Sequence, residues 1–144
     1  LSMAMHHPQR VSRLFACAAN SDPGGVKDVN KSPVFMDFIA RGQKEYEALS
    51  ATPREYKKFV EEISTMWATQ PNWTAADLAA IKVHTWIVDA DHDEAIKREN
   101  TEFMAGAIPN AGLLLQPEVS HFSMLQAPQQ FTDDVKRFLD RKWD

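Results

Sequence analysis

Apolar positions along this chain change their period several times, and each change marks an element. The opening stretch Leu1-Ser2-Met3-Ala4-Met5-His6-His7 reads as a helix already under way, stopped by Pro8. Val11 to Ala19 is an apolar run without polar alternation, which predicts a strand buried on both faces. Asn20-Ser21-Asp22-Pro23-Gly24-Gly25 is turn chemistry directly after it. Ser32-Pro33 then sets a cap residue before a proline, and Phe35, Phe38, Ile39, Tyr46 and Leu49 recur at helical spacing. Thr52-Pro53-Arg54-Glu55 has capping-box spacing and predicts a second helix with Tyr56, Phe59, Val60, Ile63, Met66 and Trp67 on one face. Pro71-Asn72-Trp73 breaks the pattern. Thr74, with Asp77 at capping-box spacing, opens a short helix through Ile81.

The last third changes character. Val83 to Asp89 is a β-rich run, and Ala95 to Ala107 reads as a helix ended by Pro109. Ala111 to Gln116, with Leu113-Leu114-Leu115, predicts a second buried strand. Pro128 to Trp143 predicts a closing helix with Phe131, Val135, Phe138 and Leu139 on one face. Strands separated by helices imply an α/β domain with a parallel sheet. Residues 31 to 75 are too long and too helical for a simple crossover and are expected to be an insertion above the sheet.

Composition narrows the function classes. The 144 residues are 44% hydrophobic, enough for one core. A net charge of −4 with acids and bases interspersed, and no basic block, argues against nucleic acid as a partner. No apolar run is long enough to span a membrane, and no signal peptide is visible. The single cysteine, Cys17, cannot form an internal disulfide, which fits a cytoplasmic location, and its apolar surroundings predict a buried small hydrophobe. Leu1 stands inside a helical pattern with no N-cap before it, so truncation is expected.

In open α/β sheets, function gathers beyond the C-terminal ends of the strands. Three loops occupy such positions: Asn20 to Gly25, Asp89 to Glu94, and Pro117 to His121. The segment Ile87-Val88-Asp89-Ala90-Asp91-His92-Asp93-Glu94-Ala95-Ile96 resembles the strand-end acid motif of the α/β-hydrolases. Ile108-Pro109-Asn110-Ala111 and Ser120-His121-Phe122 resemble that family's last strand and histidine loop. Gln126-Ala127-Pro128-Gln129-Gln130-Phe131, with Val135 and Phe138-Leu139, is similar to its closing helix. Pro8-Gln9-Arg10-Val11-Ser12-Arg13-Leu14 resembles the end of the helix behind its nucleophile. The resemblance covers nearly the whole chain, specifically from residue 83 onward and loosely across 33 to 75.

The resemblance implies a partial α/β-hydrolase fold of three mostly parallel strands with flanking helices and a helical cap. Residues 1–30 would belong to the hydrolase core, 31–80 to the cap, and 81–144 to the C-terminal core. It implies His121 as general base and Asp93 as the carboxylate that fixes its tautomer. Asp22 is the rival acid, since some members place it after the earlier strand. The family's nucleophile belongs in a Gly-x-Ser-x-Gly turn, roughly ten residues upstream of Leu1, and no such motif stands in this sequence. The complete form would be esterase-like, acting on an ester-like small molecule without a cofactor. Dehalogenase, haloperoxidase, lactonase and C–C hydrolase chemistries share the pattern. Alternatively, this chain is catalytically silent and acts by complementation with a missing N-terminal half, or by self-association through an exposed sheet edge.

Other constellations carry less. Asp89-x-Asp91-x-Asp93 lacks the glycine and glutamate that an EF-hand loop would set at Glu94 and Asn100. His6, His7, His84, His92 and His121 lack zinc-ligand spacing, so no metal is expected. Ser120 lies in a loop without a nucleophile elbow. Some of Phe35, Phe38, Tyr46, Tyr56, Phe59, Trp67 and Trp73 could line an apolar acyl pocket, and Asn20 could face it.

Overall fold

The computed structural model describes residues 1–143. Its elements are α1 (Ser2–His6), β1 (Arg13–Cys17), α2 (Pro33–Leu49), α3 (Tyr56–Thr69), α4 (Ala75–Leu78), β2 (His84–Ala90), α5 (Arg98–Ala107), β3 (Ala111–Gln116), α6 (Ser123–Gln126) and α7 (Pro128–Asp140). Among the described residues the three strands form one parallel sheet in the order β1-β2-β3. Arg13 pairs with His84, and Cys17 with Val88. On the other side Thr85 pairs with Ala111, and Ala90 with Gln116. This register brings the C-terminal ends of the strands to one edge of the sheet, as the expected chemistry requires.

Strand alternation divides the core into two layers. Ala16 and Ile87 join Ala4 of α1, Leu78 of α4, Ile81, and Met104 and Ile108 at α5. On the opposite face Phe15 and Trp86 meet Phe131 and Phe138 of α7, with ring centroids 5.2–6.3 Å apart. Arg13 reaches across to bond the Leu139 carbonyl and ties β1 to the end of α7.

Several sequence expectations are corrected here. β1 is not buried on both faces: only Ala16 is buried, because β1 has a strand neighbour on one side alone. β3 is likewise an edge strand, with Leu113 45% and Leu115 38% exposed. The triple leucine signalled burial only because hydropathy does not distinguish a central strand from an edge. The closing helix ends at Asp140, and Trp143 turns back to stack on His84 at 4.4 Å. Leu139 faces outward, opposite the buried Phe138.

The caps divide in the same way. Ser32 Oγ accepts from Phe35 N at 3.1 Å, and Thr74 and Asp77 form a reciprocal capping box. The box at Thr52 does not form. Pro53–Glu55 makes a 3-10 turn, and Thr52 Oγ1 instead bonds the Tyr46 hydroxyl at 2.9 Å. Helices α2 and α3 bury no residue completely. They touch through Tyr46 stacked on Phe59 at 5.0 Å and enclose an apolar cavity of about 540 Å³. Their aromatic residues therefore pack more thinly than the amphipathic pattern predicts. Among the described residues no helix is long and apolar enough to cross a membrane.

Candidate functional site

Each candidate side chain sits on a loop leaving a strand end. Beyond β1, Ala18 takes a left-handed backbone, φ 49°, and turns the chain toward Asn20. The loop is then tied to the acid loop. Gly25 O accepts from Lys97 N at 2.9 Å, Lys27 N donates to Ala95 O at 2.7 Å, and Val26 bridges Ile96. Gly25 permits this approach, since a Cβ there would lie 2.5 Å from Asn100 Cγ.

Beyond β2, Asp91 N donates to Gln116 O at 3.0 Å and His92 N to Val119 O at 3.2 Å. These bonds zip the acid loop to the segment leading to the histidine. Asp93, 4% exposed, then closes a turn on itself: Oδ1 accepts from Ala95 N at 2.6 Å and Ile96 N at 2.7 Å. Its other oxygen, Oδ2, lies 3.0 Å from His121 Nδ1. Lys27 Nζ donates to the Asp93 carbonyl at 2.6 Å.

His121 is half-buried, and no described side chain bonds its other ring nitrogen. The ring borders a cavity of about 630 Å³ together with Asn20, Val29, Phe35, Trp67 and Ile96. Phe35 of α2 lies 5.6 Å from the imidazole, and Phe38 stacks on Phe122 at 4.1 Å. Helix α2 therefore lies against the histidine loop.

The rival acid is elsewhere. Asp22 Oδ2 accepts from Ser21 Oγ at 3.1 Å and Asn100 Nδ2 at 2.9 Å, and makes no bond to His121. Ser120 Oγ is engaged by Gln126 at 2.7 Å and Glu94 at 3.4 Å. Cys17 is only half-buried, its Sγ 4.0 Å from Ser123 Oγ, and burial pushes its thiol up.

A second carboxyl, Asp89, expected at the start of the loop, lies instead within β2. It is 1% exposed, accepts from Thr101 Oγ1 at 2.7 Å and from Ala90 N at 2.9 Å. Burial, then a hydrogen bond shared with Asp93, raises its pKa to about 6. Burial also works to raise Asp93, but the His121 hydrogen bond, the Asp89 bond and the His121 charge outweigh it and hold Asp93 at about 2.

These opposite shifts make stability depend on pH. An ordinary carboxyl titrates near 4. Because Asp89 keeps its proton to about 6, the folded chain binds more protons than the unfolded chain between about pH 4 and 6. Stability falls as pH rises through that window. Asp93, lowered to about 2, acts oppositely: its contribution is lost as pH falls from about 4 to 2. Asp89→Asn removes the upper limb. We expect the variant to lose the decline between about pH 4 and 6 and to be more stable at pH 7 by roughly 1–3 kcal/mol. Urea midpoints across that range check this, and an equal decline in the variant contradicts it.

No protein-family model matches the chain. Lipase 3 from Moraxella sp. (strain TA144) is 33% identical over 63 residues, 44% of this chain and 20% of that protein. A meta-cleavage product hydrolase from Pseudomonas fluorescens IP01 matches 96% of this chain and 59% of its own, with TM-score 0.69 and 16% identity. An alpha/beta hydrolase enzyme, MGS-M2, from a Medee basin deep-sea metagenome library matches 99% of this chain and 62% of its own, with TM-score 0.63 and 18% identity. The chain thus spans about 60% of the length of these solved structures. Over that span the fold is that of the α/β-hydrolases.

Proposed function

We propose that this chain carries the acid and the general base of a serine-type α/β-hydrolase, esterase-like in its complete form. The observation that supports the reading most is the 3.0 Å contact between buried Asp93 Oδ2 and His121 Nδ1. A carboxylate there selects the tautomer with the proton on Nδ1 and leaves Nε2 free to accept one. A serine on a segment outside these 144 residues supplies the nucleophile. His121 takes its hydroxyl proton as the oxygen attacks an ester carbonyl, then gives that proton to the leaving alkoxide. Water repeats the cycle and releases the acid. The cavity beneath Phe35 and Trp67 suits an apolar acyl group.

Expression with and without the coding region that precedes Leu1 tests the proposal. The 144-residue chain alone is expected to hydrolyse p-nitrophenyl butyrate no faster than buffer, and the longer protein to turn it over. Turnover by the shorter chain that disappears in His121→Ala would place the nucleophile inside it and overturn this reading.

A second reading rests on the outer edge of β1, which has no strand partner among the described residues. An open edge with half-buried Leu14 and Phe15 favours complementation or self-association. Gel filtration of the chain is expected to show dimers or larger species. A monomer that melts cooperatively contradicts it.

A further inference from the structure

We propose that Glu94 is a positioning residue for His121: it grips the histidine's backbone while the preceding residue, Asp93, grips its ring. The proposal rests on His121 being the base of the site.

Glu94 Oε2 accepts from His121 N at 2.9 Å, and its Oε1 accepts from Ser120 Oγ at 3.4 Å. Gln126 at the end of α6 completes the clamp. Its Oε1 accepts from Ser120 N at 2.7 Å, and its Nε2 donates to Ser120 Oγ at 2.7 Å. Two consecutive main-chain N–H groups, at Ser120 and His121, are therefore held by side chains rather than by secondary structure. The histidine loop has no ladder or helix of its own at this point. Without such bonds its conformational freedom would be large.

The geometry also couples the two carboxylates. Asp93 and Glu94 are neighbours in sequence, and the Asp93 turn onto Ala95 and Ile96 fixes the backbone that carries both. A shift of the acid loop then moves ring and backbone of His121 together, which preserves the Asp93–His121 bond. Glu94 does not border the cavity beside His121, so it is not placed to touch substrate. Its effect runs through the histidine.

Nitrogen-15 NMR of the 144-residue chain tests this by solvent exchange of the His121 Nδ1–H, with the Ile87 amide in mid-β2 as an internal measure of global opening. Glu94→Ala is expected to speed Nδ1–H exchange about tenfold and leave Ile87 unchanged. Glu94→Asp, one methylene short, is expected to do the same while keeping the charge. Glu94→Gln retains an acceptor for His121 N and is expected to stay within about threefold of the unaltered chain. Unchanged exchange in Glu94→Ala overturns the proposal, as does Glu94→Gln loosening as much as Glu94→Ala. Equal acceleration at Ile87 assigns Glu94 a purely structural role and also overturns it. Absence of a protected Nδ1–H in the unaltered chain instead overturns the Asp93–His121 reading itself.

Discussion

His121→Ala, in a longer protein carrying the proposed serine nucleophile, is expected to lower kcat for ester hydrolysis by about 10⁴-fold or more while KM stays within a few-fold. The imidazole is proposed to move the proton in both half-reactions, so its loss leaves the nucleophile as a neutral hydroxyl. The cavity wall proposed to hold the substrate, at Phe35, Trp67 and Ile96, is not altered. Asp93→Asn is expected to cost about 10⁴-fold for a different reason. Asparagine keeps the shape but presents an amide that can hold the ring in the wrong tautomer, with the proton on Nε2. Two backbone bonds to Asp93 Oδ1, from Ala95 and Ile96, can survive on the asparagine oxygen. The Asp93→Asn loss should therefore appear without unfolding, and a cooperative thermal melt, at a lower midpoint, beside lost turnover checks that separation.

Phe138→Ala is expected to destabilise the fold by about 3–5 kcal/mol. Phe138 is fully buried and is the ring on which the α7 face of the sheet converges: Phe15 lies at 5.8 Å, Trp86 at 5.2 Å and Trp143 at 5.7 Å. Three rigid aromatic neighbours cannot collapse into the space, so the cavity term adds to the lost transfer energy. Leu49→Ala makes the contrast. Leu49 is 84% exposed on α2, and its replacement is expected to change stability by no more than about 0.5 kcal/mol. Urea unfolding of the two variants checks both. A Phe138→Ala loss below about 1 kcal/mol would contradict the packing described for this face.

Particular residues explain how much of this was legible in the sequence. The parallel order of the strands followed from their separation by helices, and the caps at Ser32 and Thr74 from local hydrogen-bond chemistry that needs no tertiary partner. Thr52 has the same local spacing, yet its hydroxyl is captured by Tyr46 of the preceding helix, a contact the capping-box pattern does not contain. Leu113 and Leu115 misled for a related reason: hydropathy records what a residue would prefer, not which strands are present to cover it.

The site divides along the same line. Asp93 and His121 stood out because a long flanking pattern resembled known acid and histidine loops. Asp89 and Glu94, inside the same segment, carried no separate signal. Their contacts are made with Thr101, twelve residues on, and with the His121 backbone, twenty-seven residues on, so they depend on the folded register.

The central claim is that Asp93 and His121 act as one unit on a serine nucleophile. A double-mutant comparison of kcat/KM in the longer protein tests it most directly. If they form one unit, Asp93→Asn combined with His121→Ala loses no more than His121→Ala alone, since the carboxylate has nothing left to orient. Losses that multiply to about 10⁸-fold, or a His121→Ala enzyme within tenfold of the unaltered protein, would contradict it.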